Sequence, residues 1–357
     1  MKKLISILMA LAVLSSAAGC AGSEESWPTE EWRTSTPEEQ DMDSAKLEEM
    51  VQYINEWGLA IDSVVVVRNG HIVLEEYPRP PYDRDMVHIV HSVTKSFVSA
   101  LIGIAIDKGY IDGVDQKMVD LFPERTVANV TPQKESVTLE HILTMKVGLE
   151  WNEWKYAYTD YERNDYMKAI RSSDPVQYVL DLPMMEDPGV RWNYNGGTSH
   201  LLSALVAEST GYDTLDFARE FLFGPLGITG VSWDRDRHGI YYGGGGLYLT
   251  PRDMAKFGYL YLHGGKWDGK QIVPANFVAD AVKTHSNISA SRGYGYQSWW
   301  TYPQDGVYNA AGLYGQRIYV IPDLEIVVVI TAQMAETSDL ESTLYRLVRT
   351  YIIGACD

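Results

Sequence analysis

A serine and four valines in a row, Ser63 to Val67, are followed by Asn69-Gly70 and then by His71-Ile72-Val73-Leu74-Glu75. β-Branched side chains suit a pleated surface, and Asn-Gly supplies the two positive-φ residues of a tight hairpin turn. A lone hairpin is marginal in water, so further strands must pair with it. The next strand signals come near the far end: Tyr294–Thr301, Gln316–Ile321 and Glu325–Thr331, with Pro322-Asp323 as a turn between the last two. Most of what lies between has helical spacing broken by Pro and Gly, as in Leu139–Met145, Pro175–Leu182, Leu201–Glu208 and Thr214–Phe223. A helix opens at Ser44, with Leu47, Met50, Val51 and Ile54 on one face, and another closes the chain over Ser338–Ile353. One sheet built from both ends, with a mostly helical insertion over 110–245, satisfies this pattern.

The 357 residues, 45% of them hydrophobic, suffice for a large core in one big domain or two. A formal net charge of −18 argues against nucleic acid and against electrostatic docking on anionic lipid. Residues 1–20 read as a signal peptide: Lys2-Lys3, an apolar run from Leu4 to Leu14, and the small-residue end Ser15-Ser16-Ala17-Ala18-Gly19-Cys20. The run is too short to span a bilayer permanently. Ala17-Ala18-Gly19-Cys20 resembles a bacterial lipobox, although Ala17 stands where Leu is usual. Cys20 is then the lipidated first residue of an exported, membrane-anchored lipoprotein, and a plain signal peptide would leave a secreted or periplasmic one. Residues 21–40 read as a polar tether and 41–357 as the folded domain. Cys356 is the one other cysteine, so a disulfide framework and a Cys-based metal site are both excluded.

Ser92-Val93-Thr94-Lys95 is the one S-x-x-K of the chain, and it opens the apolar stretch Phe97 to Ile106, with Gly109 beyond as a stop. Residues three apart share a helix face, which puts Lys95 beside the Ser92 hydroxyl. Apolar burial lowers a lysine's pKa, and a neutral amine can take a serine proton. A helix N-terminus favours developing negative charge.

Three later stretches follow in order: Tyr194-Asn195-Gly196-Gly197, then Gly245 to Gly258 (GGLYLTPRDMAKFG), then Ala311-Gly312-Leu313-Tyr314-Gly315-Gln316. Together with Ser92-x-x-Lys95, the hairpin and Val137 to Leu149, they make the chain from about Pro37 onward resemble the class C β-lactamase-related serine hydrolases. That group takes in penicillin-binding carboxypeptidases, esterases and 6-aminohexanoate-dimer hydrolases. The implied fold is α/β (α+β), β-lactamase/transpeptidase-like, with an antiparallel sheet from both termini flanked by helices and a helical inserted subdomain. The implied chemistry is acyl transfer with Ser92 as nucleophile, Lys95 and Tyr194 as the acid–base pair, and the backbone N–H groups of Ser92 and Leu313 as oxyanion hole. Which of Lys95 and Tyr194 is the base stays open. No cofactor and no metal is implied.

Two departures bear on substrate. The strand facing the nucleophile often carries Lys-Thr-Gly or His-x-Gly, but here reads Ala310-Ala311-Gly312, which removes a fixed positive charge. The usual Tyr-Ser-Asn becomes Tyr194-Asn195-Gly196, closer to the esterase and aminohexanoate-hydrolase branch. Substrate-binding candidates are Asn195, Gly312, and Trp151 and Tyr156 from an aromatic cluster that also holds Trp154, Tyr158 and Tyr161; Gln316 and Arg317 are weaker ones. Gly243–Gly246 lacks the Gly-Lys-Ser/Thr of a phosphate loop, His88-x-x-His91 lacks metal-ligand company, and no G-x-S-x-G is present. The expected partner is a small-molecule or short-peptide ester or amide. The alternative is a penicillin-binding or cell-wall-ligand protein with little or no turnover.

Overall fold

The computed structural model describes residues 27–356; the signal peptide and the Cys20 lipobox lie outside the described residues. Nine strands form the main sheet and are numbered along the chain: β1 Arg33–Thr34, β2 Ile61–Arg68, β3 His71–Glu76, β4 Ser286–Asn287, β5 Gly293–Tyr294, β6 Trp299–Tyr302, β7 Val307–Gly312, β8 Gln316–Ile321 and β9 Ile326–Ala332. Their spatial order is β1-β3-β2-β9-β8-β7-β6-β5-β4. All neighbours are antiparallel except the two-residue edge pair of β1 with β3. The hairpin turns at Asn69 (φ 50°) and Gly70 (φ 76°), the positive-φ pair that this dipeptide supplies.

The two ends of the chain meet at β2–β9, where Val64 pairs with Ile330 and Val66 with Val328. Period-2 alternation sends these side chains to one face and Val65, Val67, Val327 and Val329 to the other. Helix α1, Ser44–Glu56, covers the first face with Leu47, Met50 and Ile54, beside the C-terminal helical run from Leu340 to Ala355. The second face packs against α2, Val93–Asp107, and against Pro251–Leu262. Residues 93–105 of α2 are all buried, so this helix is enclosed on every side, as the apolar run from Phe97 to Ile106 favours, and Thr94, Lys95, Ser96 and Ser99 are enclosed with it. A Cβ on Gly258 would sit 2.6 Å from Val327 Cγ1, so the helix over Pro251–Leu262 lays its backbone directly on β9.

The insertion holds the helices Leu139–Leu143, Asp165–Arg171, Pro175–Leu180, α3 (Gly196–Thr210) and Thr214–Ala218, bounded by a small sheet of His88–Ile89, Leu247–Leu249 and Ser232–Trp233.

Three expectations are corrected. The stretch 294–301 is two strands, because Gly295–Ser298 leave the ladder. Gln297 (φ 56°) turns inward, donating to the Ile142 carbonyl at 2.9 Å and accepting from the Ser199 hydroxyl at 2.6 Å. Residues 27–40 are not a free tether. Trp32 is buried with its indole N–H on the Arg252 carbonyl (3.1 Å), Trp27 packs against Tyr259 and Trp267, and β1 extends the sheet. Two tryptophans outweigh the polar composition around them. The closing helix is α-helical over Leu340–Arg346 and widens to a π-helix over Leu347–Ile352.

Candidate active site

Ser92 stands at the N-cap of α2, where a serine hydroxyl ordinarily accepts a backbone N–H of the first turn. Here it makes no such bond. The hydroxyl oxygen instead meets Lys95 Nζ at 3.0 Å and the Tyr194 hydroxyl, which donates to it, at 2.7 Å. The residue before it, His91, holds φ 47°. That left-handed backbone costs a non-glycine residue roughly 1–3 kcal/mol and is kept only where surrounding structure enforces it.

Lys95 is 1% exposed. Its ammonium donates to the Gly244 carbonyl at 2.6 Å as well as to Ser92. Burial lowers its pKa to about 8, against the opposing pull of the Glu153 carboxylate. Tyr194 lies in the segment that leads into α3, which the Asn193 N–H pins to the Met145 carbonyl at 2.8 Å. Trp154 stacks on its ring (4.8 Å between centroids, 23°), and Lys95 Nζ lies 4.9 Å from the ring centroid. Burial, followed by the Glu153 charge, pushes the Tyr194 phenol well above its ordinary pKa; the hydrogen bond with Ser92 pulls the other way and loses. Tyr194 is therefore a phenol at neutral pH, a donor to Ser92 rather than a resting phenolate.

Gly312 ends β7 beside this group. A Cβ there would stand 2.4 Å from the Val90 carbonyl and 3.1 Å from the Ser92 nitrogen, so the backbone that leads to Leu313 passes against the Ser92 backbone. Gly312→Ala is expected to force the two apart. We predict a roughly 10²-fold slower acylation of Ser92, the scale of one lost oxyanion donor, measured as the rate of labelling by a fluorophosphonate. An unchanged rate would mean that the close approach is dispensable.

The cleft in front of Ser92 has a volume of about 240 Å³, and its walls include Trp154, Tyr158, Trp300, Arg292, Arg317 and Glu341. A larger hollow, about 720 Å³ beside Arg125, holds none of the Ser92–Lys95–Tyr194 group. The structure relocates several sequence-derived candidates. Asn195 is buried, and its side-chain oxygen caps α3 by accepting the Thr198 N–H at 3.0 Å. Trp151 is buried too and donates its indole N–H to Glu153 at 3.1 Å. Tyr156 lies under the Arg163 guanidinium, 4.6 Å from its ring centroid. From the same aromatic cluster, Trp154 and Tyr158 are the rings that reach the cleft.

The cleft is also not devoid of positive charge, although β7 carries none. Arg317 on β8 donates to the Gly312 carbonyl (2.7 Å) and to Glu341 (2.8 Å). Arg292, in the turn between β4 and β5, lies over the Trp300 ring at 4.2 Å and 3.7 Å from Glu341. Gln316 faces inward and donates to the Ala332 carbonyl at 2.5 Å.

Two residues of the site are not among the sequence-derived candidates. Gly244 anchors Lys95 through its carbonyl. Glu153 is a buried carboxylate whose two oxygens accept from the Gly196 N–H (2.5 Å), the Trp151 indole (3.1 Å) and the Tyr158 hydroxyl (2.8 Å). Its place between Trp151 and Trp154 was the available hint, since a carboxylate enclosed by aromatic rings needs dedicated donors.

With the geometry in place, comparison with known proteins is informative. The family model described as Beta-lactamase matches residues 47–350. The 6-aminohexanoate-dimer hydrolase of Paenarthrobacter ureafaciens is 26% identical over 289 residues, which cover 75% of this chain and 71% of that protein. Among solved structures, a candidate 6-aminohexanoate-dimer hydrolase from Bacillus anthracis aligns with a TM-score of 0.72 and 25% identity, over 87% of this chain and 81% of that one. A family VIII carboxylesterase, at 14% identity, shares the fold (TM-score 0.66, 87% and 96% covered).

Proposed function

Because this chain belongs to the β-lactamase family of serine hydrolases, we propose that it cleaves an ester or amide bond through an acyl-enzyme on Ser92. The observation that carries the reading is the convergence of Lys95 Nζ and the Tyr194 hydroxyl on one oxygen, Ser92 Oγ, at 3.0 and 2.7 Å. In the proposed cycle the neutral amine of Lys95 takes the Ser92 proton as Oγ attacks the carbonyl carbon. The backbone N–H groups of Ser92 and Leu313 receive the oxyanion. The Tyr194 phenol protonates the leaving alkoxide or amine and is restored by the proton that Lys95 acquired. Water then enters in the leaving group's place, gives its proton back along the same path, and frees the acid.

Since burial holds Lys95 near pKa 8, the fraction with a free lone pair grows as pH rises, so the rate falls on the acid side of about pH 8. Ser92→Ala is expected to lose at least roughly 10³-fold in turnover of any substrate the wild type cleaves. A fluorophosphonate should leave one adduct, mapped to Ser92. Full turnover in Ser92→Ala would sink the proposal. Ester, amide and β-lactam substrates presented in parallel would then separate the branches of the family.

We further propose that the enzyme is exported and held to a membrane by a lipid on Cys20, a reading that rests on the sequence of residues 1–20. Cys20→Ala should move the protein from the membrane to the soluble fraction.

A further inference from the structure

We propose that Glu153 is a positioning residue of this site: its buried carboxylate is the counter-charge of the Lys95 ammonium and holds the Tyr194 segment at the mouth of α3. The proposal rests on the acyl-transfer reading of Ser92, Lys95 and Tyr194.

Glu153 is 2% exposed. One of its oxygens takes the N–H of Gly196, the first residue of α3 and two beyond Tyr194, so the carboxylate sits at that helix's positive end. The same oxygen takes the Trp151 indole N–H, and the other takes the hydroxyl of Tyr158, which lines the cleft. A buried anion without a compensating cation is costly. The positive charge acting on Glu153 is Lys95, and each opposes what burial does to the other. The remaining titratable groups that face the pair are tyrosines, namely Tyr158, Tyr166 from Asp165–Arg171, Tyr194 and Tyr294 on β5, together with His91 beside Lys95. Burial holds these phenols neutral and keeps the His91 ring neutral at pH 7. Lys95 and Glu153 are thus opposite charges buried among neutral rings; the further charges, Arg292, Arg317, Glu341 and Glu336, line the cleft, and Glu336 acts on Tyr194. The Glu153 carboxylate favours the ammonium, and so sets how acid the medium can become before the base of the site is lost.

Glu153→Gln isolates the charge. The amide oxygen can take the Gly196 and Trp151 N–H groups, and the amide N–H can donate to the Tyr158 oxygen, whose hydroxyl is free to rotate. Removing the anion disfavours protonated Lys95. The acid limb of Ser92 labelling by a fluorophosphonate, followed from pH 5 to 10, is therefore expected to move down by at least about one pH unit. At pH 6, the rate relative to the variant's own plateau should rise about tenfold. Glu153→Asp keeps the charge while lengthening the hydrogen bonds, and should leave the limb in place with a lower plateau.

A Glu153→Gln protein with a depressed plateau and an unmoved limb would reduce Glu153 to a structural part and overturn the proposal. Should that variant fail to fold, an NMR titration of the Lys95 side chain in wild type decides: two coupled steps support the proposal, and a single independent step overturns it. Absence of any Ser92 adduct in folded wild type would remove the acyl-transfer reading itself, an outcome separate from an unmoved limb.

Discussion

Lys95→Met is expected to unfold at higher denaturant than the wild-type chain while turning over essentially nothing. The wild-type ammonium is fully enclosed, and its pKa falls to about 8 from an ordinary 10.5. Carrying that charge at pH 6.5 costs the folded state on the order of 3 kcal/mol, the free-energy equivalent of that depression. The sign follows from proton counting. Below pH 8 both folded and unfolded chains hold the proton and the penalty is complete. Between 8 and 10.5 the unfolded chain binds more protons, so wild-type stability rises with pH, and above about 10.5 the penalty is gone. Methionine has similar length and a soft side chain suited to the Tyr166 and Tyr194 rings that Lys95 approaches. Part of the gain is offset. The Gly244 carbonyl loses its donor, worth about 1 kcal/mol, and Glu153, already pushed upward by burial, must take up a proton. A net gain of about 1–2 kcal/mol is expected at pH 6.5, shrinking towards pH 10, as for a site kept at the expense of stability. Urea unfolding at the two pH values measures it. A variant less stable at pH 6.5, or a difference that ignores pH, would contradict the account.

The second large effect concerns Glu341. This residue accepts from the Tyr302 hydroxyl and from Arg317 Nη2 (2.8 Å), with Arg292 at 3.7 Å. Burial alone would raise its carboxyl. The two guanidiniums and the hydrogen bonds outweigh burial and hold it down at about 2, whereas the pKa of Arg317 is raised by the Glu341 charge against the pull of burial, so Arg317 stays charged. Glu341→Gln leaves Arg317 buried with its charge uncompensated, and loses about 3–5 kcal/mol at pH 7. The folded pKa lies below the unfolded value of about 4.5, so the contribution is full above that pH and is lost as pH falls towards 2. Chemical denaturation at pH 7 and pH 3 should therefore show a large gap between wild type and variant that narrows in acid. A gap equally large at pH 3 would assign the loss to packing. Because Arg317 also grips the Gly312 carbonyl, acylation of Ser92 is expected to slow in the same variant.

What the sequence made legible was whatever declares itself over a few residues. The Asn69-Gly70 hairpin, the β8–β9 turn and the enclosed helix after Ser92 each follow from a local period or turn dipeptide. The structure forms them where those signals place them. Two-residue strands such as β4 and β5 carry too little pattern, and Gln297 broke a run of aromatics for the sake of contacts 98 and 155 residues away. The site divides the same way. Ser92 and Lys95 are one helical turn apart, and the Tyr194 segment carries its own motif. Glu153 is one of 48 acidic residues, and what distinguishes it is the set of donors that folding gathers from Trp151, Tyr158 and Gly196. Asn195 misled because a polar residue beside Tyr194 can serve a ligand or a helix end, and the Thr198 N–H three residues on takes it for the helix. Arg292 escaped because it does not sit on the strand where the missing charge was sought, and Arg317, one strand over, stood only as a weaker candidate for substrate contact.

The pairing of β2 with β9 sets an order of events during synthesis. β2 leaves the ribosome early, yet the neighbour that completes its ladder, from Ile61 against Ala332 to Arg68 against Ile326, is made some 260 residues later. At about 5–20 residues per second that is an interval of tens of seconds. Throughout it, the valines that later meet β9 have one strand partner, and the helix behind Ser92 has no finished sheet to rest on. Contacts this distant also slow the final collapse. The nascent chain is thus most exposed to aggregation and to proteases just before its last strand arrives, and a chain stopped short of residue 326 carries Ser92, Lys95 and Tyr194 without the frame that brings them together.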